Sequence, residues 1–102
     1  MKRVFDPKHP GERVTLAFDF TNQLPAGVTV QSADSVTISV DRGADADPEA
    51  LLVGAPGLAG ADLLQMVEGG LAGTDYRVTA WVTLSDTQQR ALPAILPVRD
   101  IT

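Results

Sequence analysis

Tyr76-Arg77-Val78-Thr79-Ala80-Trp81-Val82-Thr83-Leu84 alternates without a break. Tyr76, Val78, Ala80, Val82 and Leu84 fall on one face and Arg77, Thr79, Trp81 and Thr83 on the other, the period of a strand with one buried side. The same period appears upstream in Val14, Leu16, Phe18 and Phe20. It recurs in Val28-Thr29-Val30 and Val36-Thr37-Ile38-Ser39-Val40, after the turn signal Pro25-Ala26-Gly27. Downstream, Leu92, Ala94, Leu96 and Val98 make a last run after Ser85-Asp86-Thr87-Gln88. Pro93 and Pro97 take the opposite parity and cannot donate to a ladder, so this run is expected at a sheet edge or paired on one side only.

The middle of the chain is more ambiguous. Ala50 to Val53 and Ala61 to Glu68 are short apolar runs separated by Gly54-Ala55-Pro56-Gly57-Leu58-Ala59-Gly60. By propensity the second run suits a two-turn helix; its glycine brackets, short length and β-rich surroundings favour a strand. Asp47-Pro48-Glu49 is a helix start, with Asp as N-cap and Pro at the first position, that Gly54 limits to a single turn. About seven short strands with regular turn signals predict an all-β antiparallel β-sandwich.

The chain has 102 residues, enough for one core. It contains no cysteine, which excludes disulfides, thiolate metal sites and a cysteine nucleophile, and its single histidine is His9. Eight basic against 13 acidic residues, net −5, argue against binding nucleic acid, which needs a positive footprint. An apolar content of 44% is too high for disorder and too dispersed for a membrane span.

Residues 1–11, with Pro7 and Pro10, read as an extended N-terminal arm ahead of a domain over 12–102. Lys2, Arg3 and Lys8 make it the basic part of an acidic protein, so the arm is a candidate for ordering on a partner subunit. With core residues beginning at Val14, its removal is expected to leave the domain nearly as stable. Asp6, Pro7, Lys8 and His9 stand where the apolar part of a signal peptide would be, so no export signal is read.

Carboxylates at Asp45, Asp47 and Glu49 could offer oxygen ligands to a cation, but their spacing departs from that of an EF-hand loop. Residues 34–75 hold eight acidic residues against Arg42 alone, a solvated, self-repelling surface. Gly69, Gly70 and Gly73 do not open a helix after a strand, as a dinucleotide-binding loop requires. The expectation is no cofactor, no metal and no catalytic residue.

Gly70-Leu71-Ala72-Gly73-Thr74-Asp75-Tyr76-Arg77-Val78 resembles the E–F corner of an immunoglobulin-like or fibronectin type III sandwich. There a Tyr near the start of strand F returns its hydroxyl to the backbone a few residues upstream. Tyr76, Gly73 and Val78 are therefore structural residues by resemblance. Trp81, on the opposite face from Val78, is a candidate contact residue.

A wider resemblance runs through Asp6-Pro7-Lys8-His9-Pro10-Gly11-Glu12, Phe18-Asp19-Phe20, Gly69 to Val78, Ser85-Asp86 and Leu96-Pro97-Val98-Arg99. In this order and spacing they resemble a family of small tailed-bacteriophage proteins encoded among virion-assembly genes. Thr87 departs from the pattern, which has Gly after Ser85-Asp86. The resemblance implies a non-enzymatic virion component with an immunoglobulin-like fold. It would be made in the host cytoplasm and repeated in a larger assembly, contacting other phage structural proteins on the capsid, neck or tail. Lys2, Arg3, Lys8, Trp81 and Arg99 are the candidate contact residues. The alternative is a monomeric recognition module that binds a glycan or peptide through its loops.

Overall fold

The long alternating run forms an inner strand with every second side chain buried. The computed structural model describes residues 3–100. In chain order the strands are β1 (Arg3–Val4), β2 (Arg13–Asp19), β3 (Val30–Arg42), β4 (Leu52–Ala59), β5 (Asp62–Glu68), β6 (Thr74–Leu84) and β7 (Gln89–Val98). Single 3-10 turns occupy Thr21–Gln23 and Pro48–Leu51, the second at the position expected for a one-turn helix. A four-stranded sheet, β1-β7-β6-β3, faces a three-stranded sheet, β2-β5-β4. β5 lies between β2 and β4, and β6 between β3 and β7, as the inner strands of a β-sandwich.

The core lies between the sheets. Phe18 and Leu63 from one side and Val78, Val82 and Leu96 from the other are fully or almost fully buried. Each such side chain is worth about 1.5–3 kcal/mol on burial, so these inner faces, more than any turn, hold the layers together.

Residues 61–68 resolve as a strand because Leu63, Gln65 and Val67 point inward with a period of two and pair on both sides. The glycine-rich stretch 54–60, expected as a separator, is instead most of β4 and its turn. Gly54, at φ 69°, absorbs a register slip between Val53 and Gly57, and Pro56 is tolerated because β4 is an edge. Val30, the end of the first of these runs, and the whole run 36–40 lie on one strand, β3, whose register shifts at three places.

β7 departs from the sequence expectation. It pairs antiparallel with β6 and parallel with β1, so it is not an edge. The Phe5 N–H donates to the Ile95 carbonyl and the Lys8 N–H to the Pro97 carbonyl, both at 2.9 Å. The groups facing β1 therefore belong to the odd-numbered residues, the same parity as Pro93 and Pro97. The N-terminal segment supplies donors to an edge on which Pro93 and Pro97 carry none, and the Arg99 N–H donates back to the Lys8 carbonyl at 2.9 Å. Residues 3–8 lie against β7, held to it by these backbone bonds. Phe5 packs edge-to-face on Phe18 with ring centroids 5.3 Å apart.

Two stability outcomes follow from this geometry. Phe5→Ala is expected to lower unfolding stability by about 2–3 kcal/mol through lost packing on Phe18, read from a denaturant midpoint. In the β6–β7 turn, the Thr87 N–H donates to the Leu84 carbonyl at 2.9 Å and Thr87 adopts φ 72°, a conformation unfavourable for a β-branched residue. Thr87→Gly is expected to raise stability by about 1 kcal/mol in the same measurement.

Candidate functional site

Tyr76 is completely buried, yet its hydroxyl has two partners. It accepts from the Leu71 N–H at 3.0 Å and donates to Asp45 Oδ2 at 2.7 Å. The first contact is the upstream return expected of a tyrosine corner; the second reaches into the acidic loop. Asp45 Oδ1 in turn accepts from the Asp47 N–H at 2.9 Å, fixing the start of the 3-10 turn. The Tyr76 hydroxyl holds Asp45 below the ordinary carboxyl range, with the Asp47 N–H adding to it. Burial, followed by the bond to Asp45, pushes the Tyr76 phenol up.

The corner is tight on its other sides. Gly73, at φ 84°, sends its N–H to the Val98 carbonyl at 2.8 Å. A Cβ on Gly70 would meet Val98 Cγ2 at 3.0 Å. Val78 is fully buried two residues after Tyr76. Lys8, a candidate partner contact on the N-terminal arm, is only 2% exposed. Its ammonium donates to the His9 carbonyl at 2.8 Å and to the Gly69 carbonyl at 2.7 Å, tying the N-terminal segment to the corner. Burial lowers its pKa, while Glu12 and Glu68 oppose that shift.

The candidate contact residues do not converge. Lys2 lies outside the described residues. Arg3 pairs with Ala94 at the margin of the four-stranded sheet, and Lys8 is buried in the corner. Arg99 binds Asp75 Oδ1 at 2.5 Å and the Val98 carbonyl at 2.9 Å, so its charge is neutralised within the chain. Trp81 is the exception. It stands on the outer face of β6, 41% exposed, between the smaller Ser35 and Ala91 on the neighbouring strands. Val4, 61% exposed, lies on β1 beside Ile95.

An open cleft of about 510 Å³ lies between the corner and the 3-10 turn, lined in part by Glu12, Asp45, Asp47 and Glu68. Glu12 accepts from the His9 N–H, Asp45 from Tyr76 and Glu68 from Arg13, so three of the four carboxylates have internal partners. Among the described residues no group of three or more His, Cys, Asp or Glu side chains is placed to hold a metal ion. No helix among them is long and apolar enough to cross a membrane.

Sequence reasoning missed Asp45 as the acceptor of Tyr76 and treated it as one solvated carboxylate among several. It also missed Gln65, which is buried and reaches the carbonyls of Val53, Gly54 and Met66 at 2.9–3.2 Å. The signal was available: a glutamine between Leu63 and Val67, on their parity, must find acceptors inside the protein.

Comparison with known families places this sandwich among the structural proteins of tailed bacteriophages. The matching family is the podophage GP4 fiber-tail adaptor protein gp77, over residues 8–96, and the chain belongs to it. No curated protein and no solved structure matches the chain.

Tyr76→Phe removes both hydroxyl contacts, to the Leu71 N–H and to Asp45. It is expected to cost about 1–3 kcal/mol near neutral pH. The stability that Asp45 draws from Tyr76 is present above its unfolded pKa of 3.8 and is lost as pH falls through the lower folded value. The phenol contributes below its unfolded pKa of 10.0 and stops contributing as pH rises through its higher folded value. Urea midpoints across pH should therefore show the two proteins furthest apart between these limits and converging beyond both.

Proposed function

We propose that the protein is a non-enzymatic adaptor in the tail of a phage particle, joining fiber to tail through protein–protein contacts and present in several copies. Family membership over residues 8–96 supports the adaptor role. The observation that carries the contact surface is Trp81, a large aromatic left 41% exposed on a sheet face where its cross-strand neighbours are Ser35 and Ala91. Small neighbours leave the indole raised, and a raised indole entering a partner's pocket is a common centre of binding energy. The sheet beneath it is rigid, so little ordering entropy opposes docking.

Particles carrying Trp81→Ala test this reading. As a surface substitution, it should change the stability of the purified chain by no more than about 0.5 kcal/mol. Retention of the protein on isolated tails should fall about tenfold or more. Equal retention of both proteins would remove the Trp81 face from the proposal.

A further inference from the structure

Three of the four outer strand edges of the two sheets are obstructed. β1 is only two residues long, β3 shifts register at three places, and β4 carries Pro56 and a register slip. Such features keep an edge from taking up another strand. β2 has none of them. Arg13 to Asp19 pair residue for residue with Glu68 to Asp62, and no strand pairs with the other side of β2 among the described residues. The Phe20 N–H donates to the Ala61 carbonyl at 3.0 Å in the same register. Even-numbered residues of β2 therefore turn their backbone groups toward β5, and Arg13, Thr15, Ala17 and Asp19 turn theirs outward.

Beside this edge the domain is open between its layers, because β1 belongs to the other sheet, where it pairs with β7. A groove of about 340 Å³ runs there, walled by Phe5, Pro7 and Leu96 from the side of the four-stranded sheet and by Val14 and Leu16 of β2. Exposed Asp6 and Glu12 stand on its margin. Lys8, the cation in its lining, is buried and bound to the His9 and Gly69 carbonyls. The groove thus offers apolar walls, an acidic margin and a row of outward backbone donors and acceptors.

We infer that this edge takes up an extended segment of a different protein of the phage particle, which pairs with β2 as an added strand of the three-stranded sheet. The backbone selects the conformation of the occupant, because a strand brings both a donor and an acceptor to Thr15 and to Ala17. The groove selects its sequence. Cross-strand neighbours share a face, so the residues opposite Val14 and Leu16 point between the layers and are apolar. Those opposite Thr15 and Ala17 face water. A basic residue at the end that meets Asp6 and Glu12 completes the match, on a chain whose net charge is −5. A second copy of this chain is a poorer occupant. Its own unobstructed edge is β2, where Leu16 and Phe18 are already buried in its core, so it brings no side chain to fill the groove. The inference rests on the adaptor reading for the presence of a neighbouring protein, and its surface is separate from Trp81, which lies on the other sheet.

The test uses isolated tails carrying the full chain or its variants. Thr15→Pro and Ala17→Pro each remove an outward N–H that makes no bond within the ladder, so both should keep the circular dichroism of the wild type. Retention on tails should fall about tenfold or more for each, whereas Thr15→Val, which keeps the N–H, should be retained like the wild type. In the wild-type chain the Thr15 and Ala17 amides should exchange hydrogen about tenfold or more slowly on tails than in the free chain. The Leu16 amide, which faces β5 in both, is the reference. A photoreactive phenylalanine in place of Thr15 should cross-link to a segment of a different protein, identified by mass spectrometry. Wild-type retention of both proline variants overturns the inference, and so does unchanged exchange at Thr15 and Ala17 or a cross-link to β2 of a second copy. If the proline variants unfold, the exchange comparison and the cross-link decide. A wild-type chain absent from tails overturns the adaptor reading as well, whereas fully retained proline variants leave that reading standing.

Discussion

A phenol hydroxyl with no access to water must be hydrogen-bonded or destabilise the fold by several kcal/mol, and the way Tyr76 meets that demand organises one end of the molecule. The chain passes between the sheets in residues 5–12, in 43–51 and in 69–73 at this end. The Tyr76 hydroxyl joins the second crossing, through Asp45, to the third, through Leu71. The Lys8 ammonium joins the first crossing to the third through Gly69. Three loops that would otherwise be separate surface excursions become one hydrogen-bonded unit, and the acidic loop acquires a structural role through one of its carboxylates.

The opposite demand, for polar backbone with no partner inside the chain, shapes the edges. Proline on β7 removes donors where β1 arrives carrying its own, so a two-residue strand is enough to cover it. Bulges and glycines break the regularity of β3 and β4. Against this background a regular, unobstructed β2 is the anomaly. It lies in a different sheet from Trp81.

Much of this was legible in the sequence because burial enforces a period of two. The alternation at 76–84 and at 14–20 placed the core strands, and the tyrosine after Gly73-Thr74-Asp75 marked the corner. What escaped was decided by pairing rather than by periodicity. The 54–60 segment has strand geometry because β5 supplies a template and Gln65 supplies a donor to carbonyls at the slip. Neither is visible within a stretch that is mostly glycine, alanine and proline. Lys8 was read as a partner contact because it stands on a basic, proline-rich segment; its carbonyl partners, one of them 61 residues away, bury it within the chain. Arg99 was likewise judged by its charge, without the Asp75 that neutralises it.

The parallel arrangement of the first and last strands has a mechanical consequence. Tension that draws the two ends of the domain apart pulls β1 and β7 in opposite directions along their common axis. The Phe5, Lys8 and Arg99 backbone bonds across that seam then bear the load together, in shear, instead of opening one after another as in an unzipped hairpin. The side-chain anchors at Phe5 and Lys8 sit within the same loaded segment. Along that seam the domain resists tension by shear of several backbone bonds at once.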